Sequence, residues 1–247
     1  MAIKKLRKKH DITASTIRRH VEEAAVMYAL RGQKNVVQLI GWCNTTLIVE
    51  YMPETLESVL FDIVGRNISV KKSLEMALDA AKGVMQLHQI VQGPITHADL
   101  LTEQYLIADD GRVVLNDFNL IEYAGKNRLR PKEKCTFPVY GGNGIWRSPE
   151  EYRWDTDLTE KIDIYSLSIV LWTLRARHHP FGGMESDTIM KEVANEIELR
   201  PNVTEMADFP KAMQELIIKG WSSDPNNRPT AASLVQQLAA IISSYHE

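Results

Sequence analysis

The chain has 247 residues, of which 44% are hydrophobic and 25% charged, proportions that are ordinary for a soluble globular protein. Its formal net charge of -3 gives no general attraction to nucleic acid or acidic membranes, and we expect neither as a partner. The most apolar stretch, residues 162–174, contains Asp163 and is too short for a bilayer, so we expect no membrane span.

The first fifty residues mix strand and helix patterns. Residues 1–6 predict a short strand, and residues 14–30 have helical spacing. The apolar side of this helix is predicted to include Ile17, Val21, Ala24, Met27 and Leu30 or their neighbours. Residues 36–40 and 47–51 are predicted to be strands, because turn-prone residues separate them.

The remainder of the chain is predominantly helical. Apolar residues recur at helical spacing from Leu74 to Leu87 and predict a long amphipathic helix. Two short strands, 104–107 and 112–116, flank an Asp-Gly pair that favours a hairpin. After a loop-like stretch over residues 123–149, further helices are predicted at residues 162–174, 211–221 and 230–245. The pattern indicates an α+β arrangement of two lobes that meet near residues 50–57.

Four ionisable residues occupy distinctive local settings. Lys4 lies on the first strand, and Glu23 lies on the helix that follows it. Asp99 ends the sequence His-Ala-Asp directly after the long amphipathic helix, and Asp117 begins Asp-Phe-Asn after the hairpin. Each residue alone is a weak indication, since lysines on edge strands and glutamates on helices usually face water.

The order of these motifs resembles the eukaryotic protein kinase family. That family carries a strand lysine, a helix glutamate, H-R-D, D-F-G and A-P-E in this order. Here Ser148-Pro149-Glu150 follows Asp117, and the resemblance extends over essentially the whole chain. It implies a bilobal protein-kinase-like α+β fold, with one protein kinase domain over residues 1–247. Residues 1–52 would form a truncated small lobe with the start of the hinge, and residues 53–247 the mostly helical lobe.

The resemblance implies a catalytic set. Lys4 would pair with the α- and β-phosphates of ATP, while Glu23 holds its ammonium in place. Asp99 would orient the hydroxyl of a protein substrate and accept its proton. Asp117 and Gln104 would bind Mg²⁺, a hard cation that prefers oxygen ligands.

The resemblance also implies a nucleotide-binding hinge and a structural frame. The hinge would consist of Val49, as the gatekeeper, with Glu50 and Met52. Glu150 would form an internal ion pair with Arg228. A hydrophobic column anchored by Asp163 would consist of Leu39, Met27, Phe118 and the ring of His97.

Several positions depart from the family pattern. The first glycine is Gly32, so the glycine-rich loop that precedes the lysine strand in kinases lies outside this chain, and we expect weakened ATP binding. Ala98 replaces the arginine of H-R-D, which argues against a phosphorylation switch in the loop that follows. Leu101 and Glu103 leave this loop without a cation, a loss worth about 2 to 4 kcal/mol of transition-state stabilisation. Asn119 replaces the glycine of D-F-G and tolerates left-handed backbone angles.

Three hypotheses follow. The favoured one is an ATP- and Mg²⁺-dependent protein kinase that phosphorylates serine or threonine. The alternative is a pseudokinase that acts as a binding or allosteric scaffold without turnover, and a small-molecule phosphotransferase is a weaker third. Because only two cysteines are present, we expect an intracellular, cytoplasmic location. A basic cluster in the first nine residues leaves a nuclear address open.

Overall fold

A computed structural model describes residues 1–6, 12–62, 67–91, 93–130, 132–139, 144–195 and 199–246. The smaller lobe is built on an antiparallel sheet in the order β1-β3-β2, with one helix packed against it. Its elements are β1 (Ala2–Lys5), α1 (Ala14–Ala29), β2 (Leu39–Cys43) and β3 (Thr46–Val49). Asn44, with a φ of 52°, makes the tight turn between β2 and β3, a conformation that asparagine tolerates. Much of the predicted basic cluster lies outside the described residues.

The larger lobe is mainly helical, which confirms the predicted α+β class. Its helices are α2 (Leu56–Leu60), α3 (Val70–His88), α4 (Pro149–Tyr152), α5 (Lys161–Ala176), α6 (Ser186–Ala194), α7 (Lys211–Gly220) and α8 (Ala231–Ser244). Its strands are β4 (Glu54–Thr55), β5 (Ile95–Thr96), β6 (Tyr105–Ile107), β7 (Val113–Leu115) and β8 (Glu122–Tyr123). β6 lies between β4 and β7, and β5 pairs with β8.

The core of this lobe surrounds α3 and α5. α3 packs against α8, α5 and β7, and its apolar stripe from Leu74 to Leu87 is fully buried. In α5 every residue from Ile162 to Leu174 is buried, because neighbouring elements surround the helix. In the described part of the chain, no helix combines the length and the apolar character needed to cross a membrane.

The predicted apolar side of α1 is confirmed at Ala24, Met27 and Leu30, which are all buried, and wrong at Ile17 and Val21. The side chains of Ile17 and Val21 are 41% and 55% exposed, while α1 buries His20, Glu23, Ala24 and Met27. The contact of Glu23 with Lys4 of β1 turns the inner face of α1 toward His20 and Glu23, which leaves Ile17 and Val21 outside.

The strand predicted at residues 36–40 in fact begins at Leu39. Val36 makes only an isolated bridge to Leu115, on the hairpin of the larger lobe. An apolar run that crosses between lobes cannot be distinguished from a strand by periodicity alone.

Candidate active site

Lys4, Glu23 and Asp117 meet although they belong to three separate segments. Lys4 Nζ lies 2.7 Å from Glu23 Oε1 and 2.5 Å from Asp117 Oδ1. Residues alternate between the faces of a strand, so Lys4 projects from the half-buried face of β1 while its neighbours Ile3 and Lys5 are exposed. The Glu23 side chain is only 3% exposed, and a carboxylate at that depth requires a charged partner.

These contacts set the charge of the lysine. Burial alone lowers the pKa of Lys4, but the two carboxylates outweigh burial and raise this pKa above its ordinary value. The ammonium is therefore fully charged at neutral pH. Asp117 has a φ of 61°, so its backbone is in the left-handed region, which aspartate adopts more readily than most residues.

Asp99 and Gln104 form a second pair on the loop before β6. Gln104 Nε2 donates a hydrogen bond to Asp99 Oδ2 at 3.0 Å, so the amide oxygen of Gln104 is directed away from the carboxylate. Burial raises the pKa of Asp99, and the nearby His97, Arg147 and Gln104 offset part of this effect. A carboxylate with a raised pKa is a stronger base than an exposed aspartate.

The buried carboxylate of Asp163 holds the backbone of this loop in place through hydrogen bonds. Its carboxylate accepts hydrogen bonds from the amides of His97 at 2.7 Å and Ala98 at 2.9 Å, and it contacts His88 Nε2 at 2.8 Å. Ala98 has a φ of 62°, an unfavourable conformation for alanine. The two amide bonds to a buried carboxylate stabilise that strained backbone and fix the position of Asp99 next to it.

The four residues predicted to form a hydrophobic column are all buried. The rings of His97 and Phe118 pack edge to face with centroids 5.5 Å apart, and both side chains are fully inaccessible. Met27 and Leu39 belong to the same apolar core as Phe118. Their stacking as one continuous column stays a prediction, but the anchoring role of Asp163 is confirmed by its hydrogen bonds.

The predicted hinge residues lie at the end of β3, with Val49 as its last residue and Glu50 and Met52 just after it. Ala2 of β1 is paired with Val49, and Lys4 with Leu47, so Val49 shares a sheet face with Lys4. The Glu50 carboxylate accepts a hydrogen bond from the backbone N–H of Gln38 at 2.9 Å, so this side chain is already bonded within the smaller lobe. Among the described residues, neither the Glu50 carbonyl nor the Met52 amide makes a backbone hydrogen bond outside the regular elements, which leaves both groups available to a ligand.

Two further sequence predictions have clear outcomes. Arg228 Nη1 and Nη2 bind the two carboxylate oxygens of Glu150 at 2.5 and 2.8 Å, which confirms the internal ion pair. Asn119 is not among the described residues with a positive φ, so its tolerance for left-handed angles is not used here. Asp117, two residues earlier, makes the left-handed turn instead.

The sequence argument missed Arg147. This arginine precedes Ser148-Pro149-Glu150, and its side chain is 14% exposed. It lines the same cavity as Asp99 and Leu101, so it brings a cation to a region in which the loop after His97 has none. Its distance in sequence from Asp99 gave no indication of this proximity.

Comparison with known proteins agrees with this geometry. Residues 1–238 match the sequence model of the family described as protein tyrosine and serine/threonine kinase. With the two-lobed fold and the lysine, glutamate and aspartate positions described above, the chain belongs to this protein kinase family.

Individual relatives cover nearly the whole chain. It is 33% identical to the probable serine/threonine-protein kinase drkC of Dictyostelium discoideum, over 98% of this chain and 31% of that protein. It is 32% identical to the dual specificity protein kinase shkA of the same organism, over 90% of this chain and 41% of the relative. The serine/threonine-protein kinase TNNI3K of Rattus norvegicus is 28% identical, over 96% of this chain and 28% of its own length. The chain thus spans well under half the length of these relatives.

Proposed function

We propose that this kinase domain transfers the γ-phosphoryl group of ATP to a serine or threonine hydroxyl of a protein substrate. The observation that carries the proposal is the ion pair of the Lys4 ammonium with the buried carboxylate of Glu23, at 2.7 Å. A scaffold that does no chemistry has no need for a charged lysine in the cleft between the lobes. The serine or threonine preference is supported by the descriptions of drkC and TNNI3K, which are both serine/threonine-protein kinases.

In this proposal each residue performs one electrostatic or proton-transfer task. Lys4 binds phosphate oxygens, and Glu23 keeps its ammonium oriented. Asp99 orients the acceptor hydroxyl and accepts its proton as the hydroxyl oxygen bonds to the γ-phosphorus, while the bond from that phosphorus to the β-phosphate oxygen breaks and ADP leaves. Val49, with the free backbone groups of Glu50 and Met52, would bind the nucleotide base at the hinge.

The donor set in the cleft fits Mg²⁺. Asp117 offers a carboxylate that is 27% exposed, and Gln104 offers an amide oxygen because its nitrogen is used by Asp99. Mg²⁺ is usually held by only one or two protein oxygens together with phosphate and water. When bound, the ion would neutralise developing charge on the phosphoryl oxygens. The described residues contain no cluster of three or more histidine, cysteine or acidic side chains placed for a metal ion, in keeping with so sparse a site.

The second candidate function is a pseudokinase that binds partners without turnover. It is favoured by Ala98 and Leu101, which leave the loop before β6 without a cation near the reacting groups. The direct contact of Lys4 with Asp117 also favours it, because that contact competes with both phosphate and metal.

Transfer of labelled phosphate from ATP and Mg²⁺ to serine, threonine and tyrosine acceptors tests the proposal. The expected result is transfer that Asp117→Ala and Asp99→Asn each reduce by at least about 100-fold, the usual scale for loss of an essential acid–base or electrostatic group. Asp110→Ala is the matched control, since it removes an aspartate that is 58% exposed in the distant hairpin turn.

The two candidates give different outcomes in this experiment. Nucleotide-dependent thermal stabilisation of a folded protein without transfer to any acceptor would favour the pseudokinase. Transfer that survives Asp117→Ala would contradict the assignment of the site.

We further propose an intracellular location for the domain, because Cys43 and Cys135 are both free thiols.

A further inference from the structure

A large cavity adjoins Asp99 on the side away from the nucleotide site. Its volume is about 640 Å³, and its lining includes Glu57, residues 98–101 with Glu103, residues 144–147 with Glu151, and residues 179–184. Lys4, Gln104 and Asp117 are not among its lining residues in the described part of the chain. The cavity is therefore on the acceptor side of Asp99, where the residues that flank a substrate hydroxyl would lie.

Arg147 presents unused hydrogen-bond donors in this cavity. Its Nη1 donates to Glu151 Oε1 at 3.1 Å, while Nε and Nη2 have no hydrogen-bond partner among the described residues. With its side chain 14% exposed, the guanidinium has lost most of its contact with water. A partly desolvated guanidinium with free donors interacts strongly with any anion that reaches it.

Glu151 orients Arg147 but neutralises it only in part. The Glu151 carboxylate also accepts hydrogen bonds from the amide and the hydroxyl of Ser148, both at 2.8 Å, so its position is fixed. Burial raises the pKa of Glu151 to about 7, which leaves the Arg147 charge incompletely offset at neutral pH.

In the described part of the chain the cavity is lined by more acidic than basic side chains, and its carboxylates belong to Glu57, Asp99, Glu103 and Glu151. Arg147 is the only arginine or lysine among its described lining residues, and His179 is the other basic side chain. Glu57 is held by the Thr102 hydroxyl at 2.6 Å, and Glu103 is exposed. An anionic group would therefore be attracted only close to the Arg147 guanidinium and repelled by the carboxylates elsewhere in the cavity, which makes the position of that group specific.

We propose that Arg147 is a specificity-determining residue that selects acceptor segments carrying an anionic side chain next to the phosphorylated hydroxyl. This inference rests on the proposed kinase function. The recognised chemistry is a pair of oxygens on a carboxylate or a phosphate monoester, since both accept two parallel N–H bonds from a guanidinium. Aspartate, glutamate and previously phosphorylated residues all supply it.

A peptide series tests the inference. Each peptide has one acceptor serine and, at one of three positions on either side, aspartate, asparagine, phosphoserine, alanine as the neutral counterpart of phosphoserine, or lysine. Binding is measured by fluorescence anisotropy and transfer by kcat/KM, both with the full chain. At one position we expect aspartate or phosphoserine to be favoured over its neutral counterpart by about tenfold or more, as for one charge-assisted contact. Comparison of the aspartate and phosphoserine arms shows which source of the anion is preferred.

Variants connect that preference to Arg147. Arg147→Met should reduce the anionic preference to below about twofold, Arg147→Lys should restore part of it, and Arg147→Glu should favour lysine at the same position. Arg147→Met with Glu151→Gln removes both charges of the pair, and so avoids an unpaired buried carboxylate. The matched control is Arg153→Met, because Arg153 is 43% exposed and lies outside the cavity.

The outcomes separate this inference from the proposed function. Anionic preference in binding that depends on Arg147, with no transfer to any peptide, would support the inference while the kinase function fails. Equal binding of charged and neutral peptides at every position would overturn the inference even if transfer is rapid. An anionic preference that Arg147→Met and the double variant leave unchanged would also overturn it.

Discussion

Arg228→Met is expected to remove a large part of the stability of the larger lobe. The Arg228 side chain is completely inaccessible to water, and among the described residues its one anionic contact is Glu150, which is 7% exposed. Its guanidinium also donates to the carbonyls of Ser222 at 2.8 Å, Lys161 at 3.0 Å and Ser223 at 3.3 Å. It lies 5.2 Å from the centroid of the Tyr165 ring.

The magnitude follows from what the substitution leaves behind. Methionine fills much of the volume, but the Glu150 carboxylate stays buried without a counter-charge, which costs about 3 to 5 kcal/mol. The three carbonyls that lose a donor raise the loss toward the upper end of that range. Since native domains have only about 5 to 15 kcal/mol of stability in total, the variant should be close to unfolding at moderate temperature.

Urea unfolding followed by tryptophan fluorescence measures this loss. The double variant Arg228→Met with Glu150→Gln should lose about 2 kcal/mol less than the sum of the two single variants, because the charges act as a pair. Arg153→Met, at an exposed pair with Asp155, should change stability by less than about 1 kcal/mol. A loss below about 1 kcal/mol for Arg228→Met, or strictly additive effects in the cycle, would refute this reasoning.

Three further expectations concern other parts of the chain. Because burial raises the pKa of Glu151 from 4.5 to about 7, the folded protein retains a proton that the unfolded chain releases between these pH values. The free energy of unfolding should therefore fall by up to about 3 kcal/mol as pH rises through that window, and Glu151→Gln should remove this part of the slope in urea titrations. Gly83→Ala would place a Cβ 2.8 Å from the Asn35 carbonyl and 2.9 Å from Leu115 Cβ, and should lower the thermal midpoint by an amount equivalent to about 1 to 3 kcal/mol; an unchanged midpoint would contradict this. Asp163→Asn removes the charge that holds two backbone amides, and should cost about 2 kcal/mol and slow phosphoryl transfer, whereas wild-type rates would argue against its anchoring role.

Local sequence patterns determined most of the larger lobe. α3, α5, α7 and α8 lie within a few residues of their predicted ranges, because a continuous apolar stripe or an entirely apolar run is a local property. The β6–β7 hairpin was predictable for the same reason, since Gly111 supplies the positive φ that its turn requires. Short elements such as β4, β5 and β8 have two residues each and carry no periodicity to detect.

The sequence predicted which residues form the candidate site, but only part of the geometry of that site. The order of motifs identified Lys4, Glu23, Asp99 and Asp117, since the family resemblance depends on sequence order. The left-handed backbone of Asp117 shows the limit of that argument, because the sequence indicated only that Asn119 tolerates such angles. Residue preference indicates which side chains tolerate a positive φ, but chain direction and hydrogen bonding decide where the turn lies.

The sequence by itself determined the family, the main helices and the residue types of the candidate site. Only the tertiary structure decided that Lys4 contacts a carboxylate 113 positions away, and that α1 buries Glu23 instead of Ile17. It alone placed Arg147 in the cavity beside Asp99. The reason is physical: helix formation and turn preference depend on neighbours within a few residues, whereas ion pairs and cavities depend on which distant side chains the packed lobes bring within a few ångströms.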